Sequence, residues 1–476
     1  MIELSNNISD YILKTFGEEY LKLFRQYIES ESYSYLRFSG SEKETAELIK
    51  LLGLYNIELE KHTDIPHAYK VTAGTEKIGK TLEYTIGKYY IQSLSSMIPP
   101  LVLNPTETDI TLDLCAAPGS KSTQLSEIMN NKGTLYANEP NPKRVKSLVY
   151  NLDRENILNM GVIQKLGEVL SKNFEEYFDK ILVDAPCSGL GIVQKKGEIS
   201  NWWNEKSVSR LFDTQLRLLI SAIKMSRIGG EIVYSTCTLT VEENELILDT
   251  VLNKYPVELV DIKLPVKSHP AFTEYEGVKL HESIKKARRI IPWEVNSEGF
   301  FIAKLIKTDA TVSPAKHEVK NRNIKLLQAK HKDIFRYILN VSEYYGIPVE
   351  EFERFQYIIK SNDINFIDAD WQCDDPNLFL RIGSKFGTID KRGNCHIHSL
   401  AVRAFQEVIS KNIFEIENEN DLEIYMNGGV IKKINDLRGQ KVVKYKNHFV
   451  GTAVASSEGV KSQFPRAMRT HQIILE

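Results

Sequence analysis

The stretch Ile110-Thr111-Leu112-Asp113-Leu114-Cys115-Ala116-Ala117-Pro118-Gly119-Ser120-Lys121 decides how this chain is read. Its first five residues form an apolar strand pattern. Small residues and a glycine follow, and a helical segment, 121–129, then begins. Small residues let a ligand approach the backbone closely, and a helix start offers unpaired N–H groups. Glu139 stands twenty residues beyond Gly119, at the end of the next apolar run, 134–138. An acid there suits the two hydroxyls of a ribose. No G-x-G-x-x-G accompanies the loop, so no pyrophosphate is indicated. Adenosine-type binding without phosphates points to S-adenosylmethionine. The competing reading of the loop is an ordinary strand-to-helix turn, and of Glu139 a surface acid.

Outward from this stretch, strand and helix signals alternate. Strand patterns fall at 161–164, 180–183 and 231–235, and a helix at 142–151 has Asn141 as cap and Pro142 at its first position. Such alternation predicts a parallel sheet with helices on both faces. Further strands at 257–262 and 299–306 suit an antiparallel edge. Residues 1–77 read as a small α/β module: helical spacing through Ile8, Ile12 and Phe16 and again through Phe24, Tyr27 and Ile28, a strand at 33–38, and a helix from Glu42 capped by Ser41. The predicted divisions are therefore 1–77, a core at 78–308, a polar linker at 309–330, a helical or mixed connecting region at 331–424 with helical patterns at 324–341 and 349–360, and a β-rich domain at 425–476. From Val430 to Glu476 nine Lys/Arg (432, 433, 438, 441, 444, 446, 461, 466 and 469) face three acids (436, 458 and 476), a net of +6. That excess fits either an RNA contact or a solvated surface. The run Lys285-Lys286-Ala287-Arg288-Arg289 has the same two readings.

Two further motifs follow apolar strands. Asp184-Ala185-Pro186-Cys187-Ser188-Gly189 comes after 180–183, and Ser235-Thr236-Cys237-Thr238-Leu239 ends the strand at 231–235. Successive βα units bring both cysteines to the sheet edge that carries the cofactor loop. A lone cysteine is usually a small buried hydrophobe. Two cysteines and an aspartate converging on a cofactor site suit thiolate chemistry, such as temporary addition to an electron-poor ring. Cys373 and Cys395 match no chemical pattern.

Composition limits the alternatives. The chain has 476 residues, 42% of them apolar and 26% charged, with 61 basic and 63 acidic residues, which excludes a disordered or low-complexity protein and a whole-chain basic field. Its five cysteines are odd in number, widely spaced and without a C-x-x-C, which argues against a disulfide framework or a thiolate zinc site. No signal peptide or membrane span is read, so the expected protein is soluble, cytoplasmic and metal-free.

Taken together, the DAPCSG and STCTL motifs identify a family resemblance. The chain resembles RNA cytosine-C5 methyltransferases of the Nol/Nop/Sun class, most of all the bacterial RsmF (YebU)-type rRNA enzymes. Tyr90-Ile91-Gln92 with Ser95-Ser96, Glu242-Glu243-Asn244-Glu245 and Gly299-Phe300-Phe301-Ile302-Ala303 support it. Leu36-Arg37-Phe38 matches an N-terminal element, and Lys461 with Pro465-Arg466 and Arg469 a C-terminal PUA-like module, so nearly the whole chain is covered.

The resemblance implies an α/β fold: a seven-stranded Rossmann-like methyltransferase core with an N-terminal RNA-guiding α/β module and a PUA-like β-rich C-terminal domain. It implies catalytic Cys237, Cys187 and Asp184. Cys237 would add to C6 of cytosine, Asp184 would hold the N3/N4 edge, and Cys187 would assist release, with Cys187 or a water taking the C5 proton. The cofactor set is Cys115, Ala116, Ala117, Pro118, Gly119, Ser120, Lys121, Glu139, Asp184 and position 166. Leu166 departs from the pattern, because many members carry an aspartate there that meets the adenine; Gln164 or backbone N–H groups are the available substitutes. Ser120, Ser122, Gln194 and Trp293 are lesser departures. The expected partner is RNA, ribosomal or small-subunit, and the expected state a monomer. The alternatives are a tRNA enzyme and a catalytically dead RNA-binding assembly factor. Amino-group methylation is disfavoured, since Asp184-Ala185-Pro186-Cys187 occupies the place of an Asn-Pro-Pro-Tyr-like motif.

Overall fold

The computed structural model describes residues 3–312, 321–432, 437–470 and 473–474. At its centre lies a ten-stranded mixed sheet. Seven strands carry its logic: β1 (Ile110–Asp113), β2 (Thr134–Asn138), β3 (Met160–Ile163), β4 (Phe178–Asp184), β5 (Ser226–Thr236), β6 (Val257–Val260) and β7 (Phe300–Lys307). They run in the order β3–β2–β1–β4–β5–β7–β6. β1 to β5 are mutually parallel, whereas β7 is antiparallel to β5 and to β6. The expected Rossmann-like core is present, and a strand read as starting at 231 begins earlier, at Ser226.

Successive residues of β4 show how the sequence builds two cores. Ile181 and Val183 enter one apolar layer, and Leu182 between them enters the other. A parallel strand covered by helices on both faces reads as a continuous apolar run for this reason. Helix Pro142–Arg154 starts where its cap was placed: Asn141 accepts from Lys143 N at 2.9 Å. Ser41 forms a capping box with Glu44 ahead of helix Glu42–Leu54.

Several boundaries differ from the expected ones, because long-range strand pairing overrides local pattern. The N-terminal four-stranded sheet takes its edge from Tyr89–Ile91, past residue 77, since Leu36 pairs with Ile91. Residues 349–360, read as helical, make a short 3-10 turn, Val349–Arg354, and then a strand, Phe355–Lys360. Ser361, with φ of 54°, turns that strand into an antiparallel hairpin with Asp363–Asp368. The connecting region is thus built largely on a five-stranded sheet, whose first strand, Leu327–Gln328, precedes residue 331, together with the long helix Lys332–Tyr345 and the shorter helices Ser399–Val402 and Glu419–Met426. It also contributes β8 (Phe379–Ile382), which pairs with β3 at the edge of the core sheet. The C-terminal β-rich sheet begins at Ile413–Ile416, before residue 425. Residues 313–320 of the expected linker lie outside the described residues, and Leu327–Gln328 is a strand. Among the described residues no helix is long and apolar enough to cross a membrane.

Candidate active site

The carboxyl ends of β1, β2, β4 and β5 open into one cleft of about 700 Å³, within the range of small-molecule sites. Of the predicted cofactor positions, Cys115, Ala117, Pro118, Ser120, Lys121, Glu139, Leu166 and Asp184 line it. Ala116 is buried beside them, donating its N–H to Asn138 O at 2.9 Å. Gly119 takes a φ of 113° and starts helix Ser120–Ile128 with no side-chain cap, so the helix presents free N–H groups toward the loop.

Glu139 is buried, and its carboxylate accepts from Asn141 N at 2.9 Å and pairs with Arg144 at 3.1 Å. Arg144 also donates to Ala117 O at 2.6 Å, tying the cofactor loop to the end of β2. Leu166 is 55% exposed on the cleft wall and offers an apolar face where a polar contact was sought. Gln164, the substitute considered for it, donates instead to Pro140 O at 3.4 Å.

Lys121 is buried over the Phe300 ring. Its ammonium donates to Asp184 Oδ2 at 2.8 Å and to Ser96 Oγ at 2.9 Å. Burial works against its charge, but the adjacent Asp184 outweighs that, and the lysine is held above its ordinary value. Lys121 is thus an ion-paired group inside the cleft and not a solvated lysine at a helix start. Ser235 donates to the other Asp184 oxygen at 2.9 Å.

The two cysteines meet. Cys187 Sγ and Cys237 Sγ lie 3.2 Å apart, both half-buried in the cleft. The contact with the Cys237 sulfur, together with burial, pushes the Cys187 thiol well up. Burial does the same to Cys115, which stays a thiol in the cofactor loop. Close backbone approach maintains the geometry: a Cβ on Gly191 would sit 2.4 Å from Gly299 O and 2.8 Å from Cys237 O, so only glycine fits between the cysteine loop and the start of β7.

Beneath the cofactor loop, Asp113 is buried at the end of β1 and accepts from Ser122 Oγ at 2.6 Å. Burial pushes its carboxyl up to about 7. The native state therefore holds this proton more tightly than the unfolded chain, whose carboxyl has the ordinary value of 3.8. Its stabilising contribution is complete below about pH 4 and is lost as pH rises through 7. Asp113→Asn is expected to gain melting temperature over the parent at pH 8 relative to pH 5. Paired thermal melts check this, and a difference that does not grow with pH would contradict it.

Other side chains at the site had no role read from sequence. Glu243 and Gln215 are buried and bridge the loops carrying the cysteines. Buried Arg37 donates to Glu127 at 2.7 Å, Thr123 at 2.9 Å and Ser120 O at 2.9 Å, and to Gln92. It fastens the N-terminal module to the helix behind the cofactor loop. The N-terminal helices Asn6–Phe16 and Glu18–Glu29 share an apolar cluster with Leu190, Val193, Trp203 and Leu239, which flank the cysteines. The signals available in sequence were the motif matches at Arg37 and Glu243; their partners lie on distant segments. The basic run 285–289 is largely engaged within the fold. Arg289 is buried against Glu245, Arg288 donates to Ser268 O at 2.7 Å, Lys286 to Leu259 O at 2.9 Å, and Lys285 pairs with Glu282. Among the described residues no cluster of three His, Cys, Asp or Glu side chains is arranged to hold a metal ion.

The cleft suits S-adenosylmethionine in its donor set. Glu139 offers a carboxylate for ribose hydroxyls, Ala117, Pro118 and Leu166 an apolar wall for a purine, and the helix start N–H groups for a carboxylate.

The family model "16S rRNA methyltransferase RsmB/F" matches residues 100–306. The ribosomal RNA small subunit methyltransferase F of Psychromonas ingrahamii is 31% identical over 412 residues, 82% of this chain and 81% of that protein. A tRNA (cytosine(49)-C(5))-methyltransferase of Pyrococcus abyssi is 39% identical over 229 residues, 48% of this chain and 73% of that protein. A crystal structure of a methyltransferase homologue from Pyrococcus horikoshii superposes with a TM-score of 0.56 at 32% identity, covering 63% of this chain and 93% of the other. The chain therefore belongs to the RsmB/F family of RNA (cytosine-C5)-methyltransferases, and its reaction is transfer of a methyl group from S-adenosylmethionine to C5 of a cytosine in RNA.

Proposed function

We propose that the substrate is small-subunit ribosomal RNA and that Cys237, Cys187 and Asp184 carry the chemistry. The observation behind the substrate is extent: similarity to the small-subunit rRNA enzyme spans 82% of the chain, and similarity to the tRNA enzyme 48%. Bisulfite sequencing of cellular RNA with and without the gene tests it. Loss of 5-methylcytosine from 16S rRNA with unchanged tRNA supports the proposal; loss from tRNA alone overturns it. The protein acts in the cytoplasm as a monomer. Exposed Lys461 on the C-terminal sheet, with exposed Lys432 just past a strand and Arg466 in a 3-10 turn of the same domain, supplies phosphate contacts, while Lys441 is turned instead to Asn412. Lys433, Asp436 and Glu476 of that charge count lie outside the described residues.

The target cytosine must leave its stack to reach sulfurs half-buried within the cleft, at a cost of a few kcal/mol. Its C5 is a poor nucleophile. Addition of the Cys237 thiolate at C6 makes C5 enamine-like, and negative charge develops along the N3/O2 side. Asp184 accepts from the exocyclic amino group, and Lys121, fixed against Asp184, stabilises the developing charge. Glu139 and the 115–121 loop hold S-adenosylmethionine, which supplies an electrophilic methyl group. Once C5 is methylated its proton passes to water, and the C6–S bond breaks. Cys187, kept as a thiol beside Cys237, donates a hydrogen bond to the departing sulfur.

A further inference from the structure

Glu243 lies six residues beyond Cys237 and is fully buried, with no ion-pair partner among the described residues. Four neutral donors surround its carboxylate. Ser188 N and Gln215 Nε2 each reach Oε1 at 2.8 Å, Thr240 Oγ1 reaches Oε2 at 2.7 Å, and Ser188 Oγ donates to the same oxygen. A buried acid is costly unless so satisfied, and an apolar residue would fill the space at lower cost. Its partners come from three separate segments, and two of those segments carry the cysteines. Ser188 follows Cys187 directly, and Thr238 follows Cys237; their hydroxyls lie 2.9 Å apart. Gln215 also donates to Pro186 O at 2.8 Å, on the other side of Cys187. Asn244 separately braces the Cys237 loop, accepting from Thr236 Oγ1 at 2.6 Å and donating to Thr238 O at 3.1 Å.

We propose that Glu243 is a positioning residue that holds the Cys187 loop against the Cys237 loop and so sets the spacing of the two sulfurs. The inference rests on the reading that these sulfurs perform addition and release. The bonding is uneven in an informative way. The Cys187 loop depends on Glu243 through both Ser188 contacts and through Gln215, whereas the Cys237 loop keeps its own brace at Asn244. Loss of the Glu243 acceptor therefore loosens Cys187 and leaves Cys237 in place. The affected step is release, not addition.

The test uses the full-length enzyme with its RNA substrate. Glu243→Gln keeps the shape but exchanges an acceptor oxygen for a donor. It is expected to lower kcat about 10–100-fold, the scale of a small misplacement of reacting groups. KM for RNA and Kd for S-adenosylmethionine should stay within about twofold, and a denaturant-resistant protein–RNA adduct should accumulate above the parent level. Phenylarsine oxide, which bridges two thiols with release of water, reads sulfur spacing without turnover. Its affinity, lost in Cys187→Ala, should fall about tenfold in Glu243→Gln, the loss expected from an imperfect two-point fit. Ser188→Ala, a milder change, should move the same readouts in the same direction and decides the matter if Glu243→Gln fails to fold. Unchanged adduct level and unchanged arsenical affinity in these variants would overturn the role of Glu243. Full activity in Cys237→Ala would overturn instead the cysteine reading on which it rests.

Discussion

Cys237→Ala is expected to abolish methyl transfer, by a factor on the order of 10⁴ or more, the scale of removing a covalent nucleophile. Its affinity for S-adenosylmethionine should stay within about twofold, since the proposed role of the sulfur is at the base, and Glu139 and the 115–121 loop, which line the same cleft, are the groups proposed to hold the cofactor. Cys187→Ala should give a different failure. Addition at C6 needs only Cys237, so the adduct still forms and the methylated ring remains bonded to it. With no thiol 3.2 Å away to hydrogen-bond the departing sulfur, release stalls. Denaturing gels should show a trapped protein–RNA species in Cys187→Ala, much less in the parent, and none in Cys237→Ala or the double variant. Trapping by Cys237→Ala, with none by Cys187→Ala, would reverse the two roles.

The second large effect falls on Asp184. Its two oxygens face Lys121 at 2.8 Å and Ser235 at 2.9 Å, so it is fixed before substrate arrives. Preorganised charge of this kind typically contributes about 10²–10³ in rate when one member is removed. Asp184→Asn is therefore expected to lower kcat by that range and to suppress adduct formation as well as turnover, because Asp184 orients the amino edge of the base and fixes Lys121, which stabilises the charge that develops during addition. That distinguishes it from Cys187→Ala, which suppresses only release. Single-turnover trapping in a Cys187→Ala background measures it directly: the double variant should form adduct about 10²-fold more slowly than Cys187→Ala alone. Equal adduct rates would exclude Asp184 from the addition step.

Much of this arrangement was legible in the chain. Parallel βα units place every strand end on one edge, so reading apolar runs before DLCAAPGSK, DAPCSG and STCTL was enough to gather the cofactor loop and both cysteines. Local chemistry also placed Asn141 and Ser41 as caps. Legibility failed where distant partners decide. Phe355–Lys360 is a strand because Asp363–Asp368 pairs with it across a two-residue turn, and its helical spacing carried no such information. For Arg289 the sequence left a phosphate contact and a solvated surface both open, and neither holds, because it is buried against Glu245, forty-four residues away. Leu166 could be noted as a departure, but not as an exposed apolar wall. Glu243 stood within a recognised motif, yet Ser188 and Gln215 become its neighbours only in the folded chain.

The central claim, methylation at C5 through a Cys237 adduct, has one most direct measurement. RNA carrying tritium at cytosine C5 is incubated with the full-length enzyme and S-adenosylmethionine, and tritium release to water is compared with methyl incorporation. Transfer to C5 requires loss of that hydrogen, so the account predicts one tritium released per methyl group incorporated, and no release above background by Cys237→Ala. Methyl incorporation without tritium release would place the methyl group elsewhere on the RNA and contradict the account.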